Sequence, residues 1–508
     1  MLVTSFTLKT DMAAKDASHT YDHIIKYTSL FGGVQGISVL IGVVRNKLLA
    51  LLLGTAGMGL MSLLNSYLTF ISQSTNLGIS ISAVRDLSAY YDSDDNRKIC
   101  HFIGVIRIWC LLAGALGFVA CLVAGPVLNA LSFSWGNHTH HFMLLAPAVA
   151  MMAVTGGETA ILKATRRLKD LAAIQVVCVV AILLITIPLI YLFNYKAIVP
   201  LLVATALVSM GITMAYSYRH FPLTKATFIG IAHQLSEGRG MVKLGIAFVV
   251  TGAVASGADM IIRSLLSLNA ELDTVGLYNA GYMITITYAG LVFSSMETDY
   301  FPRLSAIIHD ANAIREVANK QIEVTLLILS PLLCILIFVL PLVIPLLFSN
   351  QFLPAVSMAQ AATFAMFLKG ISLPIAYITL SKGDSRAYML LESFYGIMLV
   401  VCVLVGFHLG GLTGAGFGIS SSYLIEIVTN AVYTRVRYKF RLSNNVWLYM
   451  AIMYCHGVTA YIIATINMAI PIRIALETVV VVSCITFSIS ILRRKTSVWS
   501  ALIKKLKV

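Results

Sequence analysis

The chain has 508 residues, of which 58% are hydrophobic and 11% are charged, and its mean hydropathy is +0.87. Soluble globular proteins carry roughly 25% charged residues, so a large soluble enzyme and a disordered chain are both excluded. The formal net charge of +14 indicates basic loops beside anionic lipid rather than a nucleic-acid partner. An all-α membrane protein remains, because the apolar stretches are helix-length rather than the ~10-residue alternating strands of an outer-membrane barrel.

Fourteen apolar segments are long enough to cross a bilayer as helices, which takes about 20 residues each. They lie at about 27–53, 58–83, 100–124, 141–162, 171–193, 197–218, 242–266, 275–301, 322–348, 355–381, 387–408, 411–434, 446–467 and 471–492. Their connections are short, and none could hold a catalytic domain. The eight cysteines form no CxxC pair, and Walker A, HExxH and GxSxG motifs are absent. The sequence therefore predicts a polytopic protein that is not an enzyme, with no catalytic residue, metal site or cofactor.

Lys and Arg residues alternate in number from one loop to the next. With the N-terminus placed in the cytoplasm, most of the 36 fall in cytoplasmic segments, whereas Lys196, Arg263 and Arg473 lie on the external side. Positively charged loops stay in the cytoplasm. The pattern predicts a multi-pass protein with both termini in the cytoplasm.

Sequence landmarks recur at an offset of about 218 residues. Thr55-Ala56-Gly57-Met58-Gly59-Leu60 opens the second span and Thr274-Val275-Gly276-Leu277-Tyr278 opens the eighth. The recurrence predicts a duplicated six-helix unit, with two parallel repeats and a cleft between them. The predicted organisation is a cytoplasmic N-terminus (1–23), an N-lobe (24–220), a cytoplasmic linker (221–241), a C-lobe (242–440), and two further helices with a basic cytoplasmic C-terminus (441–508).

Several basic residues interrupt the apolar spans. Each costs roughly 2.5–3.5 kcal/mol at the bilayer centre, so such residues usually face a water-filled cavity or a partner. Arg45 and Lys47 interrupt the first span, either to attract an anionic substrate or to reach the outer interface. They point about 200° apart unless the helix bends at the glycines of residues 32–42. Lys369 lies in the middle of the tenth span, before Pro374, and is a further candidate for binding substrate.

Two more basic residues and three carboxylates complete the candidate site. Arg107 lies one or two turns inside the third span, where it either lines a cavity or reaches the cytoplasmic interface. Arg263 follows Asp259 by four residues, which permits an ion pair, so a structural and a substrate-binding role are both open. A buried carboxylate can carry a proton or bind a cation. Asp259, Glu392 and Glu426 are therefore the candidates for ion coupling.

Residues 42–60 (GVVRNKLLALLLGTAGMGL), 275–305 (VGLYNAGY…FPRLS) and 346–385 (LLFSNQF…LKG…YITLSKGDS) resemble polysaccharide flippases of the O-antigen translocase (Wzx) type. These flippases belong to the multidrug/oligosaccharidyl-lipid/polysaccharide (MOP) exporter superfamily, and the resemblance covers about residues 24–440. It implies two six-helix lobes around a cationic central cavity. It also implies translocation of an undecaprenyl-diphosphate-linked oligosaccharide, by alternating access, from the cytoplasmic to the periplasmic leaflet of the bacterial inner membrane, coupled to an ion gradient.

The same resemblance bears on individual residues and partners. Lys47, Lys369 and Arg263 fall where related flippases also tend to carry basic residues, and Arg45 falls where lipid II flippases place one. The implied partners are the lipid-linked oligosaccharide, membrane lipids, a polysaccharide polymerase and a chain-length regulator. Many O-antigen flippases stop at twelve helices, so the last two spans are a departure.

Two other functions remain open from the residues. A cation-coupled exporter of cationic drugs could share this fold, but it would need an acidic cavity. A membrane enzyme such as a polysaccharide polymerase or acyltransferase would need a sizeable external loop, and the external loops here are short.

Overall fold

The computed structural model describes residues 2–92, 95–133, 137–223 and 231–495. Side chains are described from residue 33 onward, except at 92, 231–232, 244, 247, 291 and 294–299. Residues 224–230 of the predicted linker and 496–508 of the predicted basic C-terminus therefore lie outside the described residues, as do the side chains of the predicted segment 1–23.

The first half of the described chain is helical, and short connections in the sequence separate its helices. They are α1 (Leu2–Thr75), α2 (Ile79–Asp92), α3 (Asn96–Ser132), α4 (Thr139–Met143), α5 (Ala146–Ala164), α6 (Leu168–Phe193), α7 (Ile198–His220) and α8 (Ile231–Glu237). A 3-10 turn, Asn194–Ala197, joins α6 to α7.

The second half has the same character. Its helices are α9 (Arg239–Asn269), α10 (Leu272–Tyr282), α11 (Leu291–Ala306), α12 (Ala311–Leu347), α13 (Ala355–Ser381), α14 (Ser385–Tyr438), α15 (Asn444–Thr465) and α16 (Ile470–Lys495). A π-helix, Met283–Tyr288, joins α10 to α11, and a 3-10 turn, Asn350–Phe352, precedes α13.

Ten helical runs among the described residues are long and apolar enough to cross a membrane. Three of these runs, Gly33–Thr75, Leu168–His220 and Ser385–Tyr438, have 43, 53 and 54 residues. At 1.5 Å per residue each is roughly twice as long as a ~30 Å hydrocarbon core requires, so each corresponds to two spans. The segment from α10 to α11 corresponds to the eighth predicted span. The prediction of an all-α protein with fourteen spans is thereby confirmed for the described chain.

Each double-length run is interrupted near its middle. Gly54 breaks α1 with φ 65° and ψ −166°, and Gly410 and Gly411 break α14, the latter with φ 57°. Glycine adopts positive φ without a steric cost, which explains why the chain turns at these positions. The turn Asn194–Ala197 separates α6 from α7 in the same way.

Some predicted boundaries differ from the structure. The second span was expected to reach residue 83, but α1 ends at Thr75 and α2 begins at Ile79, after a turn in which Leu77 and Gly78 both have positive φ. The eighth span was expected to be one helix, and the π-helix Met283–Tyr288 interrupts it. Hydropathy does not register such interruptions, because the flanking residues remain apolar.

The chain divides into two compact units. Unit 1 comprises 1–52, 71–128 and 137–249, and unit 2 comprises 53–70, 129–136 and 250–508. Residues 53–70, the second half of α1, therefore group with the C-terminal helices. The division into two six-helix lobes at residues 220 and 242 stays a prediction.

In unit 1, α5 packs against α2, α6 and α7. The apolar core between α2, α3 and α5 includes Leu87, Val105, Ile106 and Ile161, all of which are fully buried. This core holds α3 at a fixed position within the unit.

In unit 2, α13 packs against α10, α12 and α14 and is the most deeply buried of the described spans. The two helices beyond the predicted duplication, α15 and α16, pack on α12. Lys495 at the end of α16 pairs with Glu323 on α12 at 2.5 Å. The last two helices are thus an integral part of unit 2.

Candidate functional site

Arg45 and Lys47 lie in the first half of α1, within unit 1, and both are half-buried. In the part of the chain that the structure describes, the Nε atom of Arg45 is buried and has no hydrogen-bond partner. The first non-helical residue of α1 is Gly54, so the bend considered at residues 32–42 does not occur there. The two side chains therefore leave one uninterrupted helix about 200° apart and face different surroundings.

Arg107 on α3 forms a buried ion pair with Glu158 on α5, and the two residues are 7% and 2% exposed. Nε and Nη2 of Arg107 donate to the two carboxylate oxygens at 2.8 and 3.2 Å. Nη2 also donates to the carbonyl oxygen of Phe221 at 2.8 Å, and Ser217 Oγ donates to Glu158 at 2.6 Å. Arg107 therefore fastens α3, α5 and the end of α7 together instead of reaching the interface.

Arg263 on α9 is also buried, and it pairs with Asp259 one turn earlier on the same helix. Its Nε donates to Ser62 Oγ at 2.7 Å, and its Nη2 donates to Asn279 Oδ1 at 3.3 Å. The guanidinium thus joins three segments of unit 2, namely the second half of α1, α9 and α10. Asp259 is half-buried, and its carboxylate is paired with this arginine.

Four tyrosines extend from Arg263 through unit 2. The rings of Tyr278 and Tyr282 are stacked 5.9 Å apart, and the guanidinium carbon of Arg263 lies 5.9 and 5.6 Å from their centres. The rings of Tyr395 and Tyr423, both on α14, lie 5.2 Å apart and within electrostatic range of Tyr282. Two pairs of tyrosines therefore lie in unit 2, one beside Arg263 and one on α14 with Glu392 and Glu426.

Those charged residues form a group with Lys369. Lys369 on α13 is half-buried, and its Nζ lies 5.3 Å from the ring centre of Phe293. Glu392 and Glu426, from the two halves of α14, lie within electrostatic range of Lys369 and of each other. Glu426 is buried, and its Oε2 atom has no hydrogen-bond partner among the described residues. Two carboxylates and one lysine thus lie in the same apolar part of unit 2.

The second half of α1 meets α10 at a close seam in unit 2. A Cβ atom on Gly59 would lie 2.0 Å from the carbonyl oxygen of Leu272, and one on Gly276 would lie 2.0 Å from that of Thr55. The hydroxyl of Thr55 also donates to Asp273. Gly59 and Gly276 belong to the two landmarks that recur along the sequence, so the repeated segments pack directly on one another.

The structure brings together some of the predicted site residues but not all of them. Asp259 pairs with Arg263, and Glu392 and Glu426 lie within electrostatic range of Lys369, whereas Arg107 is paired with a carboxylate that the sequence did not assign to it. A glutamate inside an apolar span signals a need for a partner, and this signal could have indicated Glu158. The tyrosines of unit 2 carried no such signal, because aromatic residues are frequent in any apolar core.

These arrangements differ in the chemistry that they allow. Cations in an apolar surrounding bind anions strongly, and carboxylates there bind a proton or a cation. Unit 2 holds both kinds of group side by side. Potential metal ligands occur elsewhere among the described residues, where His101, His233 and Glu237 of unit 1 converge.

Sequence comparisons find one matching family model and two similar proteins. The family model described as "Polysaccharide biosynthesis protein" matches residues 24–308. The lipid III flippases of Escherichia coli (strain K12) and Shigella flexneri are each 24% identical over 407 residues, which cover 76% of this chain and 91% of theirs.

Solved structures show where else this fold occurs. The lipid II flippase MurJ in an inward closed conformation has a TM-score of 0.70 at 13% identity and covers 92% of this chain and 99% of its own. An inward-facing multidrug resistance MATE family transporter of the MOP superfamily has a TM-score of 0.66 at 14% identity, covering 79% of this chain and 94% of its own. At these identities the similarity shows the fold alone.

Proposed function

Because the chain belongs to the polysaccharide biosynthesis protein family, we propose that it is a flippase for an undecaprenyl-diphosphate-linked oligosaccharide. The cargo is an O-antigen or other polysaccharide repeat unit, and it moves from the cytoplasmic to the periplasmic leaflet. The observation that carries the proposal is the placement of Arg45, Lys47 and Lys369 inside apolar helices, half-buried. Relatives named lipid III flippases support it.

The chemistry of the cargo suits such residues. A diphosphate is strongly anionic, and removing it from water requires cations that replace its hydration. The polyprenyl tail is as apolar as the lipid around it and stays in the bilayer. Alternating access then requires that the cargo bind both states of the transporter without trapping either one.

In unit 2, the diphosphate of the cargo would bind Lys369 in place of the two carboxylates. When the diphosphate pairs with Lys369, Glu392 and Glu426 lose their counter-charge. Two carboxylates without a cation in an apolar surrounding take up a proton or bind a cation. Binding of the cargo and uptake of the coupling ion would thus be linked through one lysine.

The proposed cellular setting is supported by charge and family. Basic loops support an orientation with both termini in the cytoplasm, and the family supports a location in the bacterial inner membrane. A polysaccharide polymerase and a chain-length regulator would act on the cargo after it crosses. The protein itself forms or breaks no covalent bond in this scheme, so it acts as a transporter rather than an enzyme.

Charge removal in the membrane provides the test. In a strain that lacks the chromosomal copy, Lys47→Ala and Lys369→Ala should abolish surface polysaccharide while the protein level holds, and Lys369→Arg should retain part of the activity. Lys320→Ala is the matched control, because Lys320 is an exposed lysine paired with Glu316 on α12. Full activity of both alanine variants would remove the charge argument.

The coupling step is tested in proteoliposomes that carry a lipid-linked sugar and an imposed ion gradient. Glu392→Gln and Glu426→Gln should abolish stimulation by the gradient while cargo still binds. Unchanged stimulation in both variants would separate the carboxylates from coupling.

A multidrug exporter is the second candidate, and one observation favours it. Of the predicted site residues in unit 2, three are carboxylates, Asp259, Glu392 and Glu426, and two are cations, Arg263 and Lys369. The fold of the chain also occurs in MATE transporters. Deletion would then raise drug susceptibility and leave surface glycan normal. The flippase predicts the opposite pair of results.

A further inference from the structure

Three metal-ligating side chains from two helices meet in unit 1. His101 lies near the start of α3, and His233 and Glu237 lie on α8. The ligand atoms of the three residues all lie within 4.8 Å of one another. We propose that His101, His233 and Glu237 bind a divalent transition-metal ion of the zinc class and thereby fasten α8 to α3.

The separations of the ligand atoms suit a tetrahedral ion. Nε2 of His101 lies 2.8 Å from Oε2 of Glu237, and Nδ1 of His233 lies 3.9 Å from the same oxygen. Zinc bonds to imidazole and carboxylate are about 2.0–2.2 Å long, which places two ligand atoms about 3.3 Å apart. To reach that value, the 2.8 Å separation would lengthen by about 0.5 Å and the 3.9 Å separation would shorten by about 0.6 Å.

Hydrogen bonding alone does not account for the third residue. The contact between His101 and Glu237 is a hydrogen bond, whereas the 3.9 Å between His233 and Glu237 is too long for one. His233 nevertheless stands one turn before Glu237, on the same face of α8. Its side chain is 80% exposed, so an ion has access from solvent.

The backbone that carries these ligands is firmly held. On α3, Ile99, Phe102 and Ile103 are buried in the core of unit 1. Gly238, directly after α8, approaches Trp109 so closely that a Cβ atom would lie 2.1 Å from the indole nitrogen. Gln234 of α8 is also buried. An ion would therefore meet ligands on two helices that are already positioned, which lowers the entropy cost of binding.

Two imidazoles and one carboxylate form a common donor set for zinc, and a water or another ligand fills the fourth position. His101 and Glu237 are 136 residues apart in sequence, so the ion would close a long loop of the chain. It would also fix α8, which belongs to the predicted linker 221–241. This inference does not depend on the cargo, so it can fail while the proposed function stands.

Metal titration of the full-length chain tests the inference. The protein is purified without a polyhistidine tag, stripped with a chelator, and titrated with Zn²⁺ by calorimetry and with Co²⁺ by visible absorption. The wild type should bind one ion more than the double variant His101→Ala/His233→Ala. Because His138, His140 and His141 form another histidine group, the site is assigned from this difference.

Single variants and a control sharpen the result. Glu237→Gln keeps the shape of the side chain but weakens it as a ligand, and it should lower the affinity at least about tenfold. His309→Ala removes an exposed histidine elsewhere and should change neither stoichiometry nor affinity. Zn²⁺ should raise the melting temperature of the wild type and of His309→Ala only. Equal stoichiometry in the wild type and the double variant, with both eluting as folded monodisperse protein, would overturn the inference.

Discussion

The buried pair of Arg107 and Glu158 gives the sharpest prediction on stability. Glu158→Ala removes two hydrogen bonds from the guanidinium. Among the described residues it then keeps the carbonyl of Phe221 and the ring of Tyr218, whose centre lies 4.4 Å away. The guanidinium cannot release its proton, so the charge stays buried without a counter-charge. We therefore expect Glu158→Ala to be the most damaging single change at this pair.

Removing one partner of a buried ion pair costs roughly 3–5 kcal/mol. Arg107→Ala should fall at the lower end of this range, because the remaining carboxylate can take up a proton and keeps its bond from Ser217. The double variant Arg107→Leu/Glu158→Leu should recover most of the loss, since apolar side chains of similar volume replace such pairs with little net change.

Thermal unfolding in detergent, followed by size-exclusion chromatography with fluorescence detection, measures these differences. With unit 1 unfolding as one body of about 200 residues, 3–5 kcal/mol corresponds to roughly 6–20 °C in the apparent melting temperature. Glu316→Ala is the control, because it breaks an exposed pair worth less than about 1 kcal/mol.

Two results would refute this reasoning. One is an unchanged melting temperature in Glu158→Ala, and the other is a double variant as unstable as the single ones. The double variant also separates two roles of Arg107. If it is stable and transports, the arginine is structural; if it is stable and inactive, the guanidinium contacts the cargo as the sequence predicted.

Further predictions concern the close seam of unit 2 and a helix start. Gly59→Ala should destabilise the protein by about 1–3 kcal/mol, because the new methyl group meets the backbone of α10. In Gly42→Ala, on the same helix, the methyl group meets nothing within 4 Å, so this variant should be neutral or stabilising. The melting temperatures of the two variants test the difference. Asp384 caps α14 at Ala387 and accepts the hydroxyl of Tyr433, and these bonds, the Tyr433 one first, hold the pKa of Asp384 below its usual range. Asp384→Ala should therefore destabilise the protein by about 1 kcal/mol. In the wild type this stabilisation should be present above pH ~4 and should be lost as the pH falls further. A variant whose stability depends on acid pH as the wild type's does would contradict the assignment.

The number of spans was accessible from sequence because burial in lipid requires about 20 apolar residues per crossing. The resemblance to polysaccharide flippases, carried by short motifs, is likewise confirmed as far as the polysaccharide biosynthesis protein family, whose model matches residues 24–308. The interruptions were not accessible. Gly54 and Gly411 lie in long apolar runs, and the π-helix at Met283–Tyr288 keeps an apolar composition, so only the folded backbone reveals them.

In the candidate site, a pairing within one helix could be predicted from the sequence, whereas a pairing between two helices could not. Asp259 and Arg263 lie on one helix, and helical spacing alone suffices to indicate their pairing. Arg107 and Glu158 are 51 residues apart on different helices, and their contact depends on how α3 and α5 pack. The sequence supplied the charges, but the packing of helices decides which charges meet.

Packing also indicates which of the predicted cations could bind a mobile anion at the lowest cost in free energy. A side chain that binds the cargo must release the contacts that it makes in the absence of cargo, and this release must cost little. Arg107 would lose three buried hydrogen bonds, and Arg263 would lose bonds that join three segments of unit 2. Lys369 is half-buried, stands over an aromatic ring, and lies within electrostatic range of two carboxylates that a proton or cation can neutralise. Within unit 2 the exchange of partners is therefore least costly at Lys369, and substitutions there should impair transport more than they impair stability.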